Sequence, residues 1–215
     1  LIPIIATLLI ISCTSVNVEK TLLDVESYIK ERPDSALSIL DSIDRNLLNT
    51  RKLRSHHALL HATALDKNYI DVDDDSLASI AVRYYSKKGP EKYEARSLYY
   101  LGLSYYYAQD YKKAILEFTK AEKVAERSDS LYLGMTKDIK ATIYSATHND
   151  SEALRLLKEA YDIYLELSLH QYINNTELRL ANLYCNNDDF LKADSLYIHL
   201  TKNNIHYYNA LNMYF

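Results

Sequence analysis

Apolar residues recur along this chain at the spacing of an α-helix. From residue 111 to residue 125, small or apolar side chains stand three or four positions apart and form one stripe along a helix. The stripe consists of Tyr111, Ala114, Ile115, Phe118, Ala121 and Ala125. The Val, Ile and Thr residues show no alternation that would indicate β-strands. The pattern therefore predicts an all-α protein.

This helical pattern occurs three times in the second half of the chain. The segments YKKAILEFTKA, DSEALRLLKEA and FLKADSLYIHL align on alanines that are 39 and 40 residues apart. Twelve residues before each alanine stands another small residue, and three residues after that stands a tyrosine. The recurring positions are Gly102, Tyr105 and Ala114, then Ala141, Tyr144 and Ala153, then Ala181, Tyr184 and Ala193. Such a period predicts stacked helical hairpins, whose small residues let paired helices approach closely.

Several residues mark the ends of the predicted helices. Gly89 suits the left-handed conformation that ends a helix, and Pro90 suits the first turn of the next one. Asp110 and Asp150 stand where an N-cap residue is expected. The chain has 3 Gly and 3 Pro among 215 residues, so few positions interrupt its helices and long helices are predicted.

Residues 95–128 resemble a tetratricopeptide repeat (TPR). The residues that match the signature of this family are Leu98, Leu101, Gly102, Tyr105, Ala114, Phe118 and Ala121. Residues 134–167 and 174–207 match less fully, because Lys140 replaces a leucine and Leu200 replaces the last alanine. The spacing of 39 to 40 residues exceeds the family's period of about 34 residues. The difference implies longer helices or longer loops.

The rest of the chain resembles the same family more distantly. The segment RPDSALSILDSI resembles the second helix of a repeat, and residues 46–88 look like a divergent hairpin. We therefore interpret residues 18–94 as divergent TPR-like hairpins. Residues 208–215 resemble the start of a further helix, and we expect the chain to continue beyond them. The resemblance implies an all-α superhelix, or solenoid, of TPR-like helical hairpins.

Four of the five tyrosines near the start of the first repeat divide between two faces of one helix. At 100° per residue, Tyr105 shares a face with Leu98, Leu101 and Gly102, so we expect it to pack against the paired helix. Tyr99, Tyr106 and Tyr107 share another face with Arg96 and Leu103. An alternative remains open for these three rings, which is that they pack against the adjacent repeat, because stacked repeats bury much of their lateral surface.

In the TPR family, this second face lines a concave groove that holds a partner's peptide. Tyrosine suits such a groove because its ring offers a large contact area and its hydroxyl bonds to backbone groups. The resemblance implies these peptide-binding residues: Arg96, Tyr99, Leu103, Tyr106, Tyr107, Asp138, Thr142, Ser145, Asn175, Leu178 and Asn182. The family's carboxylate clamp uses Lys, Arg and Asn. Asn182 and Arg179 alone resemble that clamp, so its specificity is not carried over.

Charge and cysteine content narrow the function classes. The chain has 25 Lys and Arg against 29 Asp and Glu, a formal net charge of −4, and no basic cluster. Nucleic-acid binding by this segment is therefore not expected, because phosphate contacts need clustered positive charge. The two cysteines, Cys13 and Cys185, are too far apart in the sequence to indicate a zinc site or a disulfide framework.

The N-terminal residues have the character of a secretion signal. The first twelve, LIPIIATLLIIS, are apolar and uncharged, and they are fewer than the roughly 20 needed to span a bilayer. Residues 10–13 resemble a bacterial lipobox that ends in Cys13. We interpret residues 1–12 as a signal-peptide remnant, Cys13 as the lipidated residue and residues 13–17 as a tether. The resemblance implies a TPR lipoprotein of the Bacteroidota type, anchored in the cell envelope at the outer membrane. The alternative is an apolar segment with a buried cysteine.

Two clusters resemble metal sites without completing one. His57 and His61 lie one helical turn apart, but no third ligand and no metalloprotease glutamate accompany them. The segment DVDDDS begins like a calcium loop, yet Ser76 stands where glycine is needed and Val82 where glutamate should close the site. We interpret it as a loop in which Asp75 or Ser76 caps the next helix. No catalytic constellation is evident, so we expect no enzymatic activity, no metal and no cofactor.

Three functional hypotheses follow. The first is a lipid-anchored scaffold that binds a protein or peptide partner. The second is the sensory portion of a larger TPR signalling protein with a membrane helix and a DNA-binding domain. The third is a SusD-like glycan-binding lipoprotein, which the absence of Trp and the regular spacing disfavour.

Overall fold

The structure is a computed structural model that describes residues 17–202. Within that range it contains α-helices, turns and one short 3-10 helix at Arg45–Leu47, and no strand. The helices are α1 (17–28), α2 (Pro33–Ser42), α3 (Arg51–Lys67), α4 (Ser76–Tyr85), α5 (Glu91–Tyr107), α6 (Tyr111–Ala125), α7 (Ser130–Ala146), α8 (Asp150–Glu166), α9 (His170–Asn186) and α10 (Phe190–Lys202). The predicted all-α class is confirmed.

The long repeat period comes from long helices and not from long loops. The helix pairs α5/α6, α7/α8 and α9/α10 coincide with the three predicted repeats, and each pair begins four residues before the predicted segment. The first helix of each pair has 17 residues. Within each pair the connecting turn has three residues, for example 108–110. Residues beyond the usual period therefore extend the helices themselves.

One of the predicted helix caps is confirmed and two are not. The carboxylate of Asp110 accepts a hydrogen bond of 3.1 Å from the backbone N–H of Lys113, which confirms Asp110 as an N-cap. The prediction for Asp150 is wrong by one position, because α8 begins at Asp150 and Asn149 precedes it. The side chain of Asp75, the residue before α4, makes no capping hydrogen bond to that helix. Its carboxylate instead accepts the hydroxyl of Tyr105 at 2.9 Å.

Five helix ends in the described range use a left-handed residue that is not glycine. Gln109, His148 and Asp188 each have φ of 59° in the turn inside a helix pair. The residue after each of them donates its N–H to the carbonyl of the repeat tyrosine, as Asn149 does to Tyr144 at 2.8 Å. Tyr69 and Ser168 form the same arrangement. This bond closes the last turn of the helix in the manner of a Schellman motif.

The chain divides into two compact units, Leu1–Val124 and Ala125–Phe215. In unit 1, helices α1, α2 and α3 enclose an apolar core, and α3, α4 and α5 pack in sequence. In unit 2, α8 packs against both α7 and α9, and α9 packs against α10. Ala141, Leu157 and Leu180 lie in the apolar core of unit 2. Each unit is thus built from helices that contact their neighbours along the chain.

Several predictions fall on residues outside the described range. The signal-peptide remnant at 1–12, the lipidation of Cys13, most of the tether at 13–17 and the further helix at 208–215 all lie there. Across residues 17–202, no helix combines the length and the apolar character required to span a membrane.

Candidate functional site

An open cleft lies between α7 and α9 in unit 2. Its volume is about 310 Å³, and its walls combine small apolar side chains with hydroxyl and amide groups. The lining residues are Ala141, Thr142, Ser145, Ala146, Leu157, Arg179, Asn182, Leu183 and Asn186. Three of the predicted peptide-binding residues, Thr142, Ser145 and Asn182, therefore line one cleft.

Arg179 connects the two helices that form the cleft. Its Nη1 atom donates to the carboxylate of Asp138, and its Nη2 atom donates to the Thr142 hydroxyl at 2.5 Å and to the Asp138 carbonyl at 3.2 Å. Burial raises the pKa of the Asp138 carboxyl, and the guanidinium of Arg179 acts in the opposite direction. Asp138, one of the predicted binding residues, thus acts on the cleft through its ion pair with Arg179 and does not line the cleft itself.

Asn182 lies on α9 one turn after Arg179. Its side-chain oxygen accepts a hydrogen bond of 2.6 Å from the hydroxyl of Tyr197 on α10. Because this bond uses the acceptor end of the amide, a ligand in the cleft would meet Asn182 mainly as an N–H donor.

A buried carboxylate on α9 helps to hold that helix in place. Glu177 is 1% exposed, and it accepts the Tyr161 hydroxyl at 2.7 Å and contacts the Nδ1 atom of His199 at 2.9 Å. Burial and the hydrogen bond to Glu177 raise the pKa of Tyr161 to about 12. Since Tyr161 belongs to α8 and His199 to α10, Glu177 joins three helices and positions the cleft residues of α9.

Besides Asp138, two predicted residues of unit 2 do not line the cleft. Asn175 is exposed at the first half of α9, and Leu178 is half-buried beside Glu177 in the sequence. The cleft instead includes Arg179 and Asn186, which the predicted site omitted. The sequence does contain a signal for these two residues. Residues 175, 179, 182 and 186 are spaced by four, three and four positions, so they share one helical face.

In unit 1 the structure corrects the assignment of Tyr99 and Leu103. Tyr99 is 6% exposed and Leu103 is 5% exposed, so neither side chain is open to a peptide and their assignment to the binding groove is wrong. The ring centroid of Tyr99 lies 5.9 Å from that of Phe118 on α6. Leu103 faces residues of α3 and α4, including Leu65 and Ala78, around a small cavity of about 30 Å³. Because α5 contacts helices on both sides, a second face of the helix is also buried.

Arg96 belongs to a polar network that holds α1, α3 and α5 together. Its Nη1 atom lies 3.5 Å from Oε1 of Glu26, whose Oε2 accepts the Tyr93 hydroxyl at 2.8 Å and contacts Nε2 of His56 at 3.2 Å. Burial alone would raise the pKa of Glu26, but the hydrogen bonds from His56 and Tyr93 hold it below its ordinary value. Burial and the bond to Glu26 raise the pKa of Tyr93 to about 12. These contacts give Arg96 a structural role.

Tyr106 and Tyr107 are half-buried at the end of α5. The ring of Tyr106 lies 5.4 Å from that of Tyr107 and stacks at 5.9 Å on Tyr111 of α6. Burial raises the pKa of Tyr107. Tyr105 is half-buried as well and donates its hydroxyl to Asp75, so the expectation that it is buried in the core between the paired helices is also corrected.

The histidines of α3 serve as contacts to neighbouring helices. Nε2 of His57 lies 2.9 Å from the Leu40 carbonyl, and Nε2 of His61 lies 2.9 Å from the carboxylate of Asp41. Both partners belong to α2. In the part of the chain that the structure describes, no three His, Cys, Asp or Glu side chains are grouped to hold a metal ion.

Solved structures with similar folds are helical-repeat proteins. RapI in its apo form matches with a TM-score of 0.64 and 15% identity over 93% of this chain and 56% of that chain. A Rap protein complexed with Competence and Sporulation Factor matches with a TM-score of 0.61 and 15% identity over 84% of this chain and 50% of that one. A P. anserina kinesin light chain with nearly identical TPR-like repeats matches with a TM-score of 0.59 and 17% identity over 85% and 92% of the two chains.

These comparisons show the fold of the chain. BtubC from P. vanneervenii, at a TM-score of 0.56 and 14% identity, covers 87% of this chain and 70% of its own. The chain spans about half the length of the two Rap structures. No protein-family model matches the sequence, and no curated protein matches it either. The chain therefore has a TPR-like helical-repeat fold.

Proposed function

We propose that this protein is a lipid-anchored scaffold of the bacterial cell envelope that binds a protein or peptide partner. The observation that carries the proposal is the cleft between α7 and α9, because it brings together Thr142, Ser145 and Asn182 from two helices. A TPR-like fold supplies the rigid helices that position these groups. Stacked helices that contact their sequence neighbours present such side chains on a continuous surface.

The chemistry of the cleft suits an extended peptide segment. Such a segment presents a backbone N–H and a backbone C=O at nearly every residue, and each of them needs a hydrogen-bond partner when it is buried. Ser145, Asn182 and Asn186 place hydroxyl and amide groups along the cleft, while Leu157 and Leu183 provide apolar contact. A volume of about 310 Å³ is at the low end for ligand sites, which favours a few side chains over a folded domain.

One similar structure supports the use of this fold for binding. The Rap protein among the structural neighbours was solved in complex with Competence and Sporulation Factor. The resemblance is in the fold, at 15% identity, so it supports a binding function in general and leaves the ligand of this chain to experiment.

The experiment is a selection of random peptides on the immobilised protein. A displayed library of peptides about ten residues long would be enriched on the wild type and on Ser145→Trp, which places a large ring in the cleft. We expect sequences that enrich on the wild type to lose their enrichment on Ser145→Trp. Ser151→Trp is the matched control, since Ser151 is exposed on α8 and does not line the cleft. Equal enrichment on both variants would refute the cleft as the binding site.

The lipid anchor rests on the sequence around Cys13. Each buried methylene of an acyl chain contributes about 0.8 kcal/mol, so two or three chains hold a protein at a membrane without a spanning helix. The full-length wild type should partition into the detergent phase of a Triton X-114 separation, and Cys13→Ala should move to the aqueous phase once its signal is removed. A processed Cys13→Ala protein that stays in the detergent phase would disprove lipidation at this residue.

A further inference from the structure

We infer that Asp138 sets the class of ligand that the cleft accepts, and that this class is an uncharged, extended peptide segment. The inference rests on the proposed function of the cleft and adds its specificity. Asp138 acts by neutralising Arg179, the charged residue among those that line the cleft. Without this ion pair, a donor-rich cleft with an unpaired guanidinium would favour acidic peptides.

Three hydrogen bonds engage the guanidinium of Arg179. The Asp138 side chain and main chain both accept from the guanidinium, and the Thr142 hydroxyl accepts a third hydrogen bond at 2.5 Å. Both members of the pair are partly buried, with 32% of the Arg179 side chain and 22% of the Asp138 side chain exposed. An ion pair with this burial is screened less by salt than an exposed pair.

The pair has different consequences for ligands of different charge. A ligand carboxylate must displace Asp138 to reach Arg179, and it also meets the negative charge of Asp138. A ligand ammonium group is repelled by the positive charge of the Arg179 guanidinium, which lines the cleft. A peptide backbone meets neither cost, because Ser145, Asn182 and Asn186 offer uncharged partners.

The carboxylate of Glu177 on α9 does not alter the balance. Glu177 is buried between Tyr161 and His199 and is absent from the cleft lining. Arg179 is therefore the charged residue that a bound segment meets in the cleft, and Asp138 cancels its charge.

The same peptide library tests the inference through a series of charge variants. Asp138→Asn leaves Arg179 charged, Arg179→Gln leaves Asp138 charged, and the double variant removes both charges at similar side-chain size. Thermal melts would confirm that each variant is folded before selection. We expect neutral sequences on the wild type and on the double variant, sequences rich in Asp and Glu on Asp138→Asn, and sequences rich in Lys and Arg on Arg179→Gln.

The outcomes separate this inference from the proposed function. Acidic sequences on the wild type, or the same charge preference on all four proteins, would overturn the role of Asp138 while leaving a peptide-binding cleft. No enrichment on the wild type would overturn the proposed function and the inference together. If one single variant does not fold, the charge preferences of the other single variant and of the double variant still test the role of Asp138. Wild-type binding of a selected peptide should also change less than about twofold between low and high salt.

Discussion

Phe118 of α6 fills the space that a side chain on Gly102 of α5 would need. A Cβ atom on Gly102 would lie 2.5 Å from both Cδ1 and Cε1 of the Phe118 ring. Phe118 is fully buried, so the ring has little room to move. The next helix pair has an alanine and a leucine at the equivalent positions, Ala141 and Leu157, and both lie in one core. A smaller residue on the first helix is thus matched by a larger one on the second, with Gly102 opposite Phe118 and Ala141 paired with Leu157.

Gly102→Ala should destabilise unit 1 despite the higher helix propensity of alanine. Overpacking costs about 1–3 kcal/mol, and the gain in propensity offsets about 1 kcal/mol of it. We expect the free energy of unfolding to fall by about 1 kcal/mol in urea denaturation. Adding Phe118→Leu should recover part of this loss, because the double variant reproduces the alanine and leucine of the next pair. Additive effects of the two substitutions would contradict a direct contact.

Tyr99 and Tyr106 should differ strongly in their contribution to stability. Tyr99 is buried against Phe118, so Tyr99→Ala should cost about 3–5 kcal/mol, as truncations of core aromatics do. Tyr106 is half-buried and stacks on Tyr111, so Tyr106→Ala should cost about 1 kcal/mol. Thermal melts of the two variants give the comparison. Equal melting temperatures would show that the two rings are packed alike.

The fold was accessible from the sequence because its signals are local. Ala114 and Phe118 repeat the helical spacing, and Gly102 marks the close approach of two helices. These features depend on residues a few positions apart, which a single sequence displays. The exact start of α8 was less accessible, because Asn149 and Asp150 are both good cap residues.

The site was only partly accessible because it depends on distant contacts. Helical spacing separated Tyr105 from Tyr106, but it carried no information on how deeply either face is covered. Tyr99 is buried against the ring of Phe118 on α6, and Tyr105 bonds to Asp75, which is 30 residues away in the chain. Arg179 and Asp138 are 41 residues apart in the chain, so the local helical spacing does not indicate that they pair.

His148→Gly should stabilise unit 2. His148 has φ of 59°, a left-handed conformation that costs a residue with a side chain roughly 1 kcal/mol relative to glycine. His148 is exposed, so the substitution removes no buried contact. We expect a gain of about 0.5–1 kcal/mol in the free energy of unfolding, measured by urea denaturation. His148→Ala is the control and should give no gain, since alanine has the same conformational cost.

Protonation of His57 should make the fold less stable in mild acid. Burial lowers the pKa of this imidazole, so the unfolded chain takes up a proton near pH 6.5 at which the folded chain remains neutral. Because the unfolded state then binds more protons, the free energy of unfolding should fall as the pH drops from about 7 toward 5. Urea titrations across this range should show a shallower fall for His57→Gln. An unchanged slope would show that His57 does not carry the effect.

The location of the binding site is the central claim, and NMR mapping with an enriched peptide tests it most directly. Backbone amide signals of the labelled protein would be recorded as the peptide is added. We predict that the largest shifts fall on the cleft residues of α7 and α9, including Thr142, Ser145, Asn182 and Asn186. Shifts confined to unit 1 or to α10, with those four residues unmoved, would contradict the assignment of the cleft.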